Sequence, residues 1–211
     1  MTRIHSLTLA ALIVSTTSLA AERISGTFKF EERKPFVALV YIVNDHSSQR
    51  DICGSLDQKN KAFSIPIVVG QKGCEISFSN SDQIDHNIFA NDIRNGVSFD
   101  VGLIPPGGSA NTQIDWEHGK IIRIGCKIHP KMRSYIANLD TSYYAIVDFD
   151  AESDYEFSIE DVPSEANQLV IWFPKMDGIQ IELNDGDEVS LPVTRREKQY
   201  GSLSVVRKEK E

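Results

Sequence analysis

Long apolar runs are scarce in this 211-residue chain, and an excess of basic residues is absent. Its 22 Lys and Arg face 30 Asp and Glu, a net charge of −8. That balance argues against a nucleic-acid binder, which carries a basic face. Glycine and proline number only 13 and 8, too few for a collagenous or low-complexity chain. No fixed-period repeat and no long amphipathic helical pattern is present, which removes solenoids and helical bundles. Tryptophan, methionine and cysteine are rare, at 2, 3 and 3 residues. An odd number of cysteines leaves at least one outside any disulfide. What remains is 41% hydrophobic and 25% charged, a globular composition long enough for one large or two small domains.

The clearest apolar run, Leu7 to Val14 (LTLAALIV), is too short to span a bilayer. It follows the basic start Met1-Thr2-Arg3 and precedes Ser18-Leu19-Ala20, with small residues where a signal peptidase reads. A secretory signal over residues 1–20, cut after Ala20, is the expectation; the alternative is a buried N-terminal helix. Loss of Arg3 takes the net charge to −9. An exported chain meets an oxidising compartment, where disulfides persist. Cys53 and Cys74 are the candidates to pair, the alternative being two separate thiols. Cys126 is the odd one, in Gly125-Cys126-Lys127-Ile128-His129-Pro130-Lys131-Met132.

Strand patterns dominate the rest. Residues 24–30 alternate, and Phe36 to Val43 (FVALVYIV) is a continuous apolar strand that reads as buried on both faces. Further strands are expected at 63–69, 75–80, 86–90, 119–125, 135–139, 143–149, 155–159, 168–173 and 179–183. Turn clusters such as Pro105-Pro106-Gly107-Gly108 and Asn184-Asp185-Gly186-Asp187 separate them. Residues 51–61 and everything after Arg195 lack strand character. The tail 196–211 alternates charge and reads as a solvated end, or else a partner-docking tail. The fold class is all-β, built as sandwiches.

Cys126-x-x-His129-x-x-Met132 gathers a thiolate, an imidazole and a thioether within seven residues. These soft and borderline donors suit copper better than a hard cation. A fourth ligand must come from elsewhere, and His86, in Asp85-His86-Asn87-Ile88-Phe89, is the candidate. Two histidines and one cysteine in a plane, with a weak axial methionine, form the blue-copper set. Each residue also has a plainer reading: a buried structural thiol, a core methionine, a loop histidine. Zinc is a rival metal, but it rarely uses methionine and wants another Cys, His or carboxylate. A Cys–His nucleophile pair is a further rival; it lacks an orienting third group.

On these residues the stretch from Phe63 through Leu139 resembles a cupredoxin, similar to plastocyanin and amicyanin. The matching features are Ala62-Phe63-Ser64-Ile65-Pro66, the Gly73 turn, Ile76-Ser77-Phe78-Ser79-Asn80, Asp85 to Phe89, Pro105-Pro106-Gly107 and the Cys126 loop. The two-residue gap between His129 and Met132 resembles the short amicyanin loop. The whole chain resembles cupredoxin-containing proteins of the "methylamine utilization protein" type, though no residue here points to an amine substrate. Tyr144-Ala145-Ile146-Val147-Asp148 and Phe157 to Pro163 resemble a carboxypeptidase-regulatory-like β-sandwich, with Ser153-Asp154-Tyr155-Glu156 and Ser164-Glu165-Ala166 where that family has glycine turns.

A two-stranded ribbon cannot bury its own apolar face. Residues 21–50 are therefore expected to join 141–195 in a discontinuous second sandwich, with a cupredoxin at 51–140 inserted between them. Phe36 to Val43 would then be covered by that second module and not by the copper domain. The resemblance implies a periplasmic one-electron carrier holding copper on His86, Cys126, His129 and Met132, with His129 as the electron exit. Its redox partners would be cationic if the net charge steers them. The alternatives are a copper-delivery protein without electron transfer, and a structural β-module with a vestigial copper site. An enzyme is not expected, since a blue-copper site has no open position for substrate.

Overall fold

The computed structural model describes residues 22–43, 53–150 and 155–209; the expected signal at 1–20 lies outside them. Apart from one 3-10 turn at Ile93–Asn95, every regular element among the described residues is a strand. The first are β1 (Glu22–Phe30) and β2 (Val37–Val43). Then come β3 (Ser55–Lys59), β4 (Ala62–Phe63), β5 (Ile67–Gly70), β6 (Glu75–Asn80), β7 (His86–Asp92) and β8 (Val97–Ile104). β9 (Ser109–Gln113), β10 (Ile121–Gly125) and β11 (Arg133–Asn138) complete that group. The last six are β12 (Tyr144–Asp148), β13 (Glu156–Val162), β14 (Gln168–Trp172), β15 (Ile179–Glu182), β16 (Glu188–Arg195) and β17 (Lys198–Glu209).

Four sheets result: β13-β1-β17-β16, β12-β2-β14-β15, β5-β11-β10-β7-β8 and β4-β3-β6-β9. They stack in that order, because each neighbouring pair shares an apolar core. Residues 53–140 supply the last two sheets. β1 pairs with β13 and β17, and β2 with β12 and β14, so residues 22–43 join those after 141 in the first two.

The position of β2 explains its composition. Ala38, Val40 and Ile42 face the core of the first sandwich. Val37, Leu39 and Tyr41 face the other way, onto Ile67, Val69, Tyr135, Ala137 and Leu139 of the five-stranded sheet. A strand in an inner layer has no solvent face, so its apolar run is unbroken. This corrects the expectation that only the second module covers β2: its odd-numbered face rests on the copper-domain sheet. Tyr135 locks that contact, with its ring 4.8 Å from Trp172 in an edge-on pair and 5.8 Å from Phe36.

The solvated tail expected at 196–211 is also corrected, since residues 198–209 are β17, the strand between β1 and β16. Gly201, Leu203, Val205 and Arg207 point inward, and the charges that suggested solvation mostly lie on the other face or at the ends. Arg207 is itself fully buried, ion-paired with the buried Glu22. Its remaining donors reach the carbonyls of Ala166 (3.0 Å), Leu183 (2.8 Å), Pro163 (2.8 Å) and Ser164 (3.2 Å). All five guanidinium N–H groups are thereby satisfied, which is what makes a buried cation tolerable. Residues 51–61 also contain a strand, β3, whose inward positions are Leu56 and the polar Gln58.

Cys53 and Cys74 form a disulfide with their Cα atoms 5.6 Å apart. It precedes both members of the parallel pair β3 and β6, which register Ser55 with Ser77. Closing a loop of this length contributes roughly 3 kcal/mol in the chain-entropy picture. No helix among the described residues is long and apolar enough to cross a membrane.

Candidate metal centre

The site lies at one end of the sandwich formed by residues 53–140. β6 reads EISFSN and alternates, with Ile76, Phe78 and Asn80 inside. Asn80 is the polar exception, and it is paired throughout. Its amide donates to the carbonyls of Ile84 (2.9 Å) and Ile104 (2.8 Å), and its Oδ1 accepts from the N–H of Asp82 (3.0 Å). These bonds fix the turn between β6 and β7, and so the entry of His86, the first residue of β7.

Residues 126–132 connect β10 to β11, whose last registered pair is Gly125 with Arg133. Cys126 follows β10 directly and is 2% exposed. Gly125 lies against the Phe89 ring, where a Cβ would approach to 3.3 Å, so a larger residue would press on that ring beside the cysteine. The N–H of Met132 donates to the His129 carbonyl at 2.9 Å, which tightens the loop. The N–H of Lys127 donates to Asn87 Oδ1 at 3.1 Å, and the Asn87 amide donates to Asp100 (2.6 Å) and the Gly102 carbonyl (3.1 Å). Asn87 thus ties the cysteine loop to β7 and β8.

This framework brings three of the four expected ligands to one point. Cys126 Sγ lies 3.9 Å from His86 Nδ1 and 3.8 Å from His129 Nδ1, and the two Nδ1 atoms are 3.1 Å apart. A point equidistant from these three atoms lies about 2 Å from each, the length of a bond from a first-row metal to imidazole or thiolate. Met132, the fourth, is buried at the end of the same loop, at 2% exposure. No Asp or Glu joins this group of one cysteine and two histidines among the described residues. Zinc would want such a donor, whereas a thiolate and two imidazoles, with a methionine in the same loop, suit copper.

The far nitrogen of His86 is also held. His86 Nε2 meets Asp82 Oδ2 at 3.0 Å, with the imidazole fully buried. The same carboxylate accepts from the N–H groups of Lys61 (2.9 Å) and Gln83 (2.8 Å). The His86 hydrogen bond first, and those backbone donors next, hold the Asp82 carboxyl down at about 2. An ionised Asp82 accepts a hydrogen bond from Nε2–H and leaves the Nδ1 lone pair free to bind a metal. At His129, burial and then the charges of His86 and Lys61 hold the imidazole below the usual histidine value, which favours the ligating neutral form. Asp82 and Asn87 were missed as functional residues. Their only trace in the sequence is their closeness to His86, four residues before it and one after.

No family model matches the chain, and no curated protein matches it. Among solved structures it is similar to a purple cupredoxin from Nitrosopumilus maritimus, with 14% identity, 40% of this chain and 98% of that one covered, and a TM-score of 0.36. An amicyanin mutant in its reduced Cu(I) form gives 12% identity, 53% and 98% coverage, and 0.37. A copper-containing nitrite reductase from Thermus scotoductus SA-01 gives 14% identity, 46% and 24% coverage, and 0.37. At these identities and TM-scores the donor atoms themselves, not the likenesses, carry the functional reading.

Proposed function

We propose that the chain is a type 1 (blue) copper protein that carries single electrons between redox partners, outside the cytoplasm once its signal is removed. The observation that carries this reading is the triangle of Cys126 Sγ, His86 Nδ1 and His129 Nδ1, with sides of 3.1 to 3.9 Å. Copper bound there would supply a one-electron couple whose potential the thiolate and the weak thioether tune. The chain's own residues supply rigidity. Asp82 orients His86, Asn87 anchors the Cys126 loop, and the β10–β11 pairing closes it from below. A site fixed in this way changes little when the charge changes, which keeps reorganisation small.

His129 is the half-buried ligand of the set, whereas His86 and Cys126 are buried, so His129 is the exit toward a partner. Ile128 and Leu103 stand exposed at this end of the sandwich, at 46% and 67%, and offer apolar surface for brief docking. With Met132 as the fourth donor, as the blue-copper set requires, the ion would keep no open position of the kind that catalytic metals keep. The reading is therefore a carrier and not an enzyme. Voltammetry of the copper-loaded protein tests it. A reversible one-electron wave with unchanged copper content is expected. Copper that leaves on reduction would instead assign a delivery role.

A further inference from the structure

Where the two sandwiches meet, a cleft of about 380 Å³ is lined by Arg33, Lys34, Arg123, Arg133, Lys175 and Arg195, and by no Asp or Glu. In a chain whose acids outnumber its bases 30 to 22, six cations around one cleft run against the composition. They also come from five separate places: the turn between β1 and β2, β10, β11, the turn after β14, and the end of β16. The fold, and not a local run of basic sequence, assembles them.

Few of these charges are compensated. Lys34 donates to the Phe149 carbonyl and, at 2.6 Å, to the Tyr155 hydroxyl. Arg133 stacks on Phe36 at 4.2 Å and reaches Asp150 only at 3.9 Å. Among the described residues no carboxylate lies within ion-pair distance of Arg33, Arg123, Lys175 or Arg195, although Arg195 influences Asp177 across the surface. Between the cations the lining is apolar and aromatic: Pro35, Phe36, Tyr135, Pro174 and Met176. Like charges held together repel unless an anion joins them, and guanidinium groups pair carboxylate or sulfonate oxygens through two parallel bonds.

We propose that this cleft binds a small organic anion with at least two negative charges and a flat apolar body, the class of an aromatic dicarboxylate or disulfonate. The charges meet the arginines of the two sandwiches, and the flat body lies against the apolar lining of Pro35, Pro174 and Met176, since Arg133 already covers Phe36. The volume is at the lower end of the range for small-molecule sites. An adjoining cavity of about 710 Å³ shares Phe36, Arg123 and Arg133 with the cleft and extends to Pro130 and Met132. That second cavity also carries Asp148 and Asp150, so the anion is confined to the cleft, which none of His86, Cys126, His129 and Met132 lines.

Calorimetric titration of the full chain with a naphthalene disulfonate tests the proposal, with inorganic sulfate and an uncharged naphthalene diol in parallel. The disulfonate is expected to saturate at one per chain and to weaken as salt rises. Arg33→Gln with Arg123→Gln should weaken it by about tenfold or more. Both side chains are exposed and lie outside the metal centre. If the double variant does not fold, Arg33→Gln alone, in a surface turn, makes the same comparison. No saturable heat, or equal affinity in the variant, overturns the site and leaves a solvated cationic rim. Sulfate binding as tightly as the disulfonate would contradict a role for the apolar lining.

Discussion

Asp82 Oδ2 lies 3.0 Å from Nε2 of His86, on the side of the ring away from the Cys126 thiol. One residue of the β6–β7 turn thereby sets both the tautomer and the orientation of a buried ligand. A carboxylate in this place also makes the imidazole a stronger donor, which stabilises the more highly charged copper(II).

Asp82→Asn should therefore raise the reduction potential and weaken copper(II) binding by about 10- to 100-fold. The amide keeps the size of the side chain but not its charge. Voltammetry and competition with a chelator measure the two effects. An unchanged potential would mean that Asp82 serves the turn alone.

Met132→Leu should keep the colour and raise the potential, because the thioether is a long, weak bond that favours the oxidised ion slightly. Leucine nearly conserves the buried volume, so the fold should lose less than about 1.5 kcal/mol. A lost visible band in a folded protein would place Met132 among the strong ligands.

Arg207→Ala should cost about 3–5 kcal/mol. It would leave Glu22 as a lone buried charge and remove the partner of four carbonyls. Denaturant titration reads the change. A loss below about 1 kcal/mol, the size of a surface pair, would contradict the part given to the buried Arg207–Glu22 pair.

Thiol titration of the unfolded, metal-free chain should find one free cysteine, Cys126, because Cys53 and Cys74 are bridged. Three titrating thiols would contradict that bond. Reduction should cost the fold roughly 3 kcal/mol.

Much of the site was legible because it is local. Cys126, His129 and Met132 share one hairpin loop, and their residue types alone point to a soft metal. The burial of Phe36–Val43 was equally plain, since eight apolar residues in a row leave no wet face. What covers its second face was not, because packing between sheets leaves no mark in the pattern of one strand. β17 was hidden by its composition: charges at both ends masked the inward Leu203 and Val205, and nothing local shows that Arg207 will find Glu22 across the sheet. Asp82 was unreadable as a positioning residue for a related reason. A turn aspartate is common, and only the folded turn aims it at Nε2. The cationic cleft is more distant still, since its six residues are assembled from five segments.

The central claim is that Cys126, His86 and His129 hold copper through a thiolate in their shared plane. The most direct measurement is the visible absorption spectrum on adding one equivalent of copper(II) to the wild-type chain and to Cys126→Ala. An intense thiolate-to-copper band in the wild type, absent from the variant, is the predicted result. A wild-type chain that binds the ion without colour, or a Cys126→Ala chain that stays coloured, would contradict it.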